Sequence, residues 1–276
     1  MIKNIIKKSI LLFAIIALIV SCNYTPKKHT TGETDQQEQH ADKTKDCSHV
    51  HWSHHEGEEG PENWVNLCDG FSSCGGETQS PINIISRETT MVDSLKGLIV
   101  DYNTTNVDII NNGHTVQFNT LGDNDLIIGE KAYRLLQFHY HAQSEHAVNG
   151  EKFPLEIHFV HKYSDADYAV LGLMFEIGEE NTLFKNYLSH FPTEKGSYTS
   201  EDLIQLKNLL PADLSYYYYS GSLTTPPCSE VVRWYLLKNP ITASKEQIEL
   251  FSGILHGNYR PIMPVNGRKI YHFSEN

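Results

Sequence analysis

The chain has 276 residues, of which 39% are hydrophobic and 20% are charged, a composition typical of a globular protein with one large domain or two small ones. The formal net charge of −12 argues against nucleic-acid binding, because phosphate contacts need a basic face. The 15 tyrosines and 11 phenylalanines favour β-strands.

The N-terminus has the pattern of an export signal. Three lysines within the first eight residues precede an uninterrupted apolar run over residues 10–20. That run is too short to span a membrane, and it has the length of the apolar region of a signal peptide. It ends before Ser21-Cys22, which resembles a bacterial lipobox. We therefore predict a lipoprotein-type signal peptide over residues 1–21 and a lipidated Cys22. An ordinary secretory signal cleaved nearby and an uncleaved anchor are the alternatives.

The predicted lipid places the protein outside the cytoplasm, anchored to a bacterial membrane on its periplasmic or cell-surface side. Residues 22–46 are almost entirely polar, so they cannot bury enough surface to fold and are predicted to form a disordered tether. Residues 47–60 contain His49, His51, His54 and His55 among acidic residues. This tract either binds a metal weakly or is a solvated leading segment.

Residues 47–276 are predicted to form one domain that consists mainly of β-strands. Short alternating runs separated by turn signals predict strands at residues 97–102, 107–110, 115–119, 132–141, 155–161, 168–176 and 231–237. Helical periodicity is found at residues 182–190, 200–210 and 244–256, and Ser244 with Gln247 has the pattern of a capping box. The predicted fold class is mainly β (α+β), with a few peripheral helices.

Four cysteines remain once Cys22 is assigned to the lipid: Cys47, Cys68, Cys74 and Cys228. An even number of cysteines in an exported protein indicates disulfide bonds. Spacing alone allows three pairings.

Three histidines form the most informative pattern. His139 and His141 alternate in one predicted strand, and His158 lies in the next. Residues i and i+2 of a strand point to the same face, so two neighbouring strands could bring three imidazoles together. Three neutral nitrogens suit a tetrahedral zinc whose fourth position stays open. The alternative is that the His-x-His pair is simply two polar residues on the solvent-exposed face of a strand. Gln137 and Glu156 each precede a histidine by two residues and are candidate acceptors that fix its tautomer.

Nine short motifs occur in the order found in the α-class carbonic anhydrases, and together they resemble that family over residues 51–270. They are His51-Trp52-Ser53, Gly60-Pro61-Glu62-Asn63-Trp64, Gln79-Ser80-Pro81-Ile82-Asn83-Ile84, Asn111-Asn112-Gly113-His114, Gln137-Phe138-His139-Tyr140-His141, Ser144-Glu145-His146, Glu156-Ile157-His158, Gly221-Ser222-Leu223-Thr224-Thr225-Pro226-Pro227 and Tyr259-Arg260-Pro261.

The resemblance implies a large twisted, mostly antiparallel sheet, with Zn²⁺ bound by His139, His141 and His158 at the base of a cleft. It implies the reversible hydration of carbon dioxide to bicarbonate and a proton, in which zinc-bound hydroxide attacks CO₂. The backbone carbonyl of Asn258 would accept a hydrogen bond from His141. The family's substrate wall corresponds to Val160, Val170, Leu223, Thr225 and Trp234.

Catalytic roles follow from the same resemblance. Thr224 matches the residue that accepts a hydrogen bond from the hydroxide and donates one to a carboxylate. Glu145 matches the residue that supplies this carboxylate. His114 matches the histidine that shuttles protons to buffer, which an imidazole can do near neutral pH. One departure is His54, which stands where the family has tyrosine. An extra basic group there could assist proton transfer.

Cys74 and Cys228 match the disulfide of exported family members, whereas Cys47 and Cys68 match no family pair, so a second disulfide between them stays open. A catalytically inactive carbonic-anhydrase-like binding module is the alternative function. Such modules lack a ligand histidine, and all three are present here. A metalloprotease would need His-Glu-x-x-His, which the sequence lacks. The expected partners are CO₂ or bicarbonate and a membrane, with a second copy of the chain as a further candidate.

Overall fold

The computed structural model describes residues 46–185 and 188–275. The predicted signal peptide, the lipidated Cys22 and the tether up to residue 45 lie outside these ranges. No helix within them is long and apolar enough to cross a membrane.

Strands dominate the described residues, as the composition predicts. They are β1 Asn83–Ile84, β2 Thr90–Met91, β3 Ile99–Asp101, β4 Thr104–Thr105, β5 Val107–Asn111, β6 Val116–Thr120, β7 Asp125–Ile128, β8 Lys131–His141, β9 Ala147–Val148, β10 Leu155–Ser164, β11 Asp167–Ile177, β12 Gly196–Thr199, β13 Ile204–Gln205, β14 Tyr216–Gly221, β15 Val232–Leu237, β16 Ile241–Ala243 and β17 Tyr271–Phe273. The α-helices are α1 Trp64–Leu67, α2 Thr182–Lys185 and α3 Lys245–Leu255, and 3₁₀ turns cover Asp69–Gly75, Ser86–Glu88, Leu188–His190 and Leu206–Leu209.

Most strands belong to one 13-stranded sheet, whose central path runs β12-β5-β6-β8-β10-β11-β15-β14-β17-β2. The pairs from β12 to β11 are antiparallel, whereas β11 pairs parallel with β15 and β16, so the sheet is mixed. The predicted mainly β class is therefore confirmed, and all seven predicted strands are present with shifted ends.

The two faces of the central strands have different uses. Phe138 of β8 and Phe159 of β10 point into the larger apolar core, together with Phe118 of β6, whose ring stacks 4.6 Å from that of Phe138. The residues that alternate with these phenylalanines along β8 and β10, including His139 and His158, point to the opposite face of the sheet. Strand periodicity thus separates the aromatic core from the chemistry-bearing face.

The predicted helices fared unevenly. The helix at 244–256 is present as α3, and Ser244 and Gln247 form the predicted capping box. The helix predicted at 182–190 is only α2 and a 3₁₀ turn. The helix predicted at 200–210 is wrong, because Ile204 pairs with β4 and a 3₁₀ turn follows. The buried Leu206 and Leu209 are three residues apart, a spacing that a 3₁₀ turn satisfies as well as an α-helix does.

Candidate metal centre

Two adjacent antiparallel strands bring the three predicted histidines together. His139 and His141 lie on β8, and His158 lies on β10, where its register partner is His139. One ligand nitrogen from each ring lies within 4.8 Å of the others. His141 and His158 are each 1% exposed. The cluster is therefore set by strand register and held rigidly inside the sheet.

Each histidine has one nitrogen tied to an acceptor. His141 Nδ1 lies 2.6 Å from the backbone oxygen of Asn258, which can only accept, so this nitrogen carries the proton. His158 Nε2 lies 2.7 Å from Glu156 Oε1, and His139 Nδ1 lies 2.8 Å from Gln137 Oε1. Asn258, Glu156 and Gln137 thus occupy the positions expected of them. The lone pairs left over belong to Nε2 of His139, Nε2 of His141 and Nδ1 of His158.

These lone pairs face one another. His141 Nε2 lies 3.1 Å from His158 Nδ1, although neither nitrogen has a proton to donate in the tautomers described above. Burial lowers the pKa of His141 to about 4 and also lowers those of His139 and His158, which keeps the imidazoles neutral. Three converging neutral acceptors without a donor fit a cation, and three imidazole nitrogens with an open position are the ligand set of catalytic zinc.

A buried polar network supports His158 through Glu156. Glu156 Oε1 also contacts His146 Nδ1 at 2.7 Å, while Oε2 accepts from the backbone N–H groups of Glu145 and His146. Burial alone would raise the pKa of Glu156, but electrostatic interactions and hydrogen bonds with His146 and His158 hold it well below its ordinary value. The Tyr219 hydroxyl continues the network, 2.6 Å from His146 Nε2. Sequence reasoning gave His146 no role, because nothing local reveals its partners.

Glu145 lies beside the cluster, as expected. Its Oε2 is 3.5 Å from His141 Nε2 and 3.8 Å from His158 Nδ1, and its Oε1 accepts from the backbone N–H of Arg260 at 2.8 Å. Glu145 Oε2 has no hydrogen-bond partner among the described residues. Burial raises the pKa of Glu145, an effect reduced by His158 and by the neighbouring Thr224 side chain. The structure therefore brings Thr224 and Glu145 together at the histidines.

Arg260 is a buried residue that sequence reasoning left without a role. Its guanidinium donates to Gln79 Oε1 at 2.7 Å and to the backbone oxygens of Ser80 and Cys74. It also lies over the Trp64 ring, 5.3 Å from the centroid. The side chain thereby fixes the backbone N–H that holds Glu145.

A cavity of about 130 Å³ connects the histidine cluster to the surface. It is lined by Trp52, His54, Asn112, His114, Thr115, Gln117, Gln137, His139, His141 and Thr225. His114 lies in the turn before β6, where the Asn112 side chain accepts from its backbone N–H at 2.8 Å. Its ring stacks on Trp52 with centroids 3.8 Å apart and planes at 9°. Partial burial, His51 and Lys195 lower its pKa below the ordinary 6.5.

His54 lies beside the two tryptophans at the cavity wall, and its ring centroid is 5.2 Å from that of Trp52 and 6.0 Å from that of Trp64. Its Nε2 is buried without a hydrogen-bond partner among the described residues. Burial, with His141, His114 and His55, lowers the pKa of His54 to about 3. The ring is therefore neutral at physiological pH, which argues against the expected extra basic group that carries protons.

The remaining predicted residues form an apolar wall at the histidines. Val160, Val170 and Trp234 belong to one buried cluster, and Leu223 packs against it. The Trp234 ring centroid is 4.8 Å from that of His158, and its indole nitrogen donates to the backbone oxygen of Ser222 at 3.1 Å.

Both cysteine pairs are joined. Cys74 is bonded to Cys228, as the resemblance implies, and Cys47 is bonded to Cys68, the pairing that the sequence left open. The described tract from His49 to His55 forms no group of three metal-ligating side chains; the two such groups found in the described residues are His139, His141 and His158, and His146, Glu156 and His158.

A three-histidine cluster with an open side, set in a mixed sheet at the base of a cavity, defines a zinc enzyme of the lyase or hydrolase type. Known proteins narrow the class. A family model described as eukaryotic-type carbonic anhydrase matches residues 59–274. The carbonic anhydrase of Pectobacterium atrosepticum is 43% identical over 228 residues, which cover 81% of this chain and 91% of that protein. Human carbonic anhydrase 7 is 36% identical over 253 residues, covering 77% of this chain and 94% of that protein.

Solved structures agree. The α-carbonic anhydrase of Thermovibrio ammonificans, in complex with the inhibitor sulfanilamide, has a TM-score of 0.77 and 40% identity, and the match covers 80% of this chain and 99% of that chain. The chain belongs to the eukaryotic-type, or α-class, carbonic anhydrase family, and it is a carbonic anhydrase, a lyase that hydrates CO₂. The cofactor of this family is zinc, and the three histidines form a group that could hold it.

Proposed function

We propose that the protein catalyses the reversible hydration of CO₂ at a zinc held by His139, His141 and His158, with proton export through His114. The observation that carries the proposal is the convergence of three neutral imidazole nitrogens that have no donor between them. When bound there, zinc supplies a Lewis acid that makes water an effective nucleophile near neutral pH.

Substrate binding follows from the apolar wall. CO₂ has no dipole and gains little from polar contacts, so a surface of Val160, Val170, Leu223 and Trp234 beside the ligands suits it. Thr225 lines the cavity that reaches His139 and His141, and it adds a polar group there. These side chains hold the substrate within reach of the open side of the cluster.

The Thr224–Glu145 pair orients the nucleophile. Glu145 is buried beside the Thr224 side chain, which partly offsets the rise that burial causes in its pKa, and we expect the Thr224 hydroxyl to donate to this carboxylate. With its proton committed to this carboxylate, the Thr224 oxygen can only accept at its free lone pair. The Thr224 oxygen therefore accepts a hydrogen bond from the nucleophilic oxygen. This leaves a lone pair of the nucleophile directed at the carbon of CO₂.

His114 takes the proton out. It is half-buried, it lines the cavity that also contacts His139 and His141, and it reaches a second cavity that opens toward His256. Its pKa, below the ordinary value, leaves it neutral and able to accept a proton at neutral pH. The cavity of about 130 Å³ between the ligands and this ring has room for waters that would bridge the gap.

The test uses full-length protein, extracted in detergent where it is membrane-bound. Zinc content and CO₂ hydration are measured by stopped flow before chelation, after chelation, and after zinc is returned. We expect about one zinc per chain, loss of hydration on chelation, and recovery in proportion to zinc. Zinc binding without any hydration would instead favour the inactive binding module.

We further propose that the chain is exported and held at a bacterial membrane by lipid on Cys22, with residues 22–46 as tether and residues 47–276 as the catalytic domain. The support is the basic-apolar-Cys pattern of the N-terminus. Cys22→Ser should abolish labelling by palmitate and move the protein out of the mature membrane fraction. Unchanged labelling would contradict the anchor. A homodimer stays a prediction, which sedimentation of the detergent-extracted protein would test.

A further inference from the structure

The wall of the cavity mouth is made by residues of the segment 46–59, which has no regular secondary structure. Residues 51–55 line an outer cavity of about 190 Å³, and Trp52 and His54 also line the inner cavity that reaches the histidine cluster. The stack of Trp52 on His114 joins this segment to the proposed proton carrier. The orientation of His114 therefore depends on what holds the segment in place.

The C-terminal part of the segment is tied by hydrogen bonds. The Trp64 indole donates to the backbone oxygen of Ser53 at 3.0 Å, and the backbone N–H of Ser53 donates to the oxygen of Glu59 at 2.8 Å. Trp64 itself is fully buried, so these bonds anchor Ser53 to the domain.

The N-terminal part is tied differently. The hydrogen bonds found for the described residues 46–50 are local, from Val50 N–H to the Cys47 oxygen and from Ser48 N–H to the Asp46 side chain. His51 Nδ1 contacts Glu59 Oε2 of the same segment at an exposed position, and its ring centroid lies 6.3 Å from that of His114. Within the described residues, this part is linked to the body of the domain by apolar packing around Trp64 and by the disulfide between Cys47 and Cys68, which spans 21 residues.

We propose that Cys47 and Cys68 are positioning residues for proton transfer: their disulfide holds Trp52 against His114, while the Cys74–Cys228 disulfide serves the chemical step. This inference rests on the proposed role of His114. Cys228 donates its backbone N–H to the oxygen of Thr225, so the second disulfide braces the loop that carries Thr224. Two disulfides in one apolar cluster thus support two different steps of one reaction.

The two bonds also differ in exposure. Cys47 and Cys68 are partly exposed, whereas Cys74 is 6% and Cys228 is 0% exposed. A small dithiol such as dithiothreitol should therefore reduce the first pair before the second. In that reaction the cystine gains two electrons and two protons to give two thiols, and dithiothreitol is oxidised to its cyclic disulfide.

The experiment compares a Cys47→Ser/Cys68→Ser double variant with wild type and with Ser48→Ala, a matched change at an exposed position of the same segment. CO₂ hydration is followed in weak buffer. The double variant should lose roughly three- to tenfold in kcat, less than the ~10²-fold of removing a proton carrier outright, with kcat/KM unchanged. Ser48→Ala should match wild type in both.

A double-mutant cycle tests whether the disulfide acts through the stack of Trp52 on His114. Trp52→Ala should lower kcat by a similar factor, and adding the cysteine changes to Trp52→Ala should have little further effect, because both act through the same stack. Full additivity, or equal loss of kcat and kcat/KM in the cysteine variant, would overturn the proposal. If the variant does not fold, wild type reduced by dithiothreitol replaces it, with alkylation and peptide mapping to verify that only Cys47 and Cys68 have opened.

The outcomes separate this inference from the proposed function. If His114→Ala leaves kcat in weak buffer unchanged, the shuttle itself is wrong, and the inference falls with it. If His114→Ala lowers kcat but opening the Cys47–Cys68 bond does not, the shuttle stands and the positioning role of this disulfide is rejected.

Discussion

The floor and the mouth of the cavity are built in contrasting ways. On the floor, His139, His141 and His158 lie on two long central strands, and His139 and His158 have register partners on both sides. At the mouth, Trp52 and His54 lie in an irregular segment. Rigid strands suit metal ligands, which must converge within tenths of an ångström, whereas proton transfer through water tolerates looser geometry. The contrast suggests that the chemical step and the proton step can be damaged separately.

The largest effect is expected from the floor. His141→Ala removes a ligand and leaves two lone pairs at the site, so both zinc content and hydration should fall by more than the roughly 10–100-fold typical of outer-shell partners. The matched control is His161→Gln. His161 is also buried on β10, but it bonds Tyr102 at 2.6 Å rather than joining the cluster. Zinc content by mass spectrometry should stay near one in the control. Equal zinc loss in both variants would contradict the assigned ligand set.

A smaller effect is expected at the residues that orient the nucleophile. Thr224→Ala should lower kcat/KM by about 10²-fold, a typical loss for one preorganised hydrogen-bonding group, without loss of zinc. Thr224→Ser keeps the hydroxyl and should recover most of the activity. Stopped-flow hydration at low CO₂ measures the ratio. A Thr224→Ser variant as slow as Thr224→Ala would show that packing, not the hydroxyl, matters here.

The smallest effect is expected at the mouth, as a shift in the pH at which kcat has its inflection. The titratable groups that line the outer cavity around His114 are His51, His54, His55, His256 and Lys195. Partial burial, His51 and Lys195 all disfavour protonated His114, so its pKa lies below 6.5. His114 must be neutral to accept a proton, so kcat in weak buffer should rise with pH through an inflection below 6.5. Lys195→Gln removes one positive charge and should move that inflection upward.

The matched control for the pH shift is Lys207→Gln, a change of the same charge in the 3₁₀ turn Leu206–Leu209, away from the cavity lining. It should leave the inflection in place. A pH profile of kcat for each variant gives the answer, and a downward shift in Lys195→Gln would contradict the assignment of the inflection to His114.

The floor could be predicted from the sequence far better than the mouth. Strand alternation alone places His139 with His141, and the i−2 positions place Gln137 as the acceptor of His139 and Glu156 as the acceptor of His158. Asn258 lies 117 residues from His141 in the chain, so it came from family resemblance and not from any local pattern. The sequence offers no periodicity across such distances.

The mouth depends on contacts that no pattern encodes. Cysteine spacing left the Cys47–Cys68 pairing open, and the burial of His54 depends on its packing against Trp52 and Trp64. The helix predicted at 200–210 failed for a related reason, since the pairing of Ile204 with a distant strand outweighs local propensity. Local rules describe regular strands well and describe loops held by tertiary contacts poorly.

The separation of chemistry from proton export is tested most directly by rescue with buffer. Hydration is measured for His114→Ala and Thr224→Ala across increasing concentrations of imidazole. His114→Ala should lose roughly 10²-fold in kcat in weak buffer, keep its kcat/KM, and regain much of the loss as imidazole rises, because the buffer replaces the missing carrier. Thr224→Ala should stay slow at every concentration. Equal rescue of both variants, or of neither, would contradict the account.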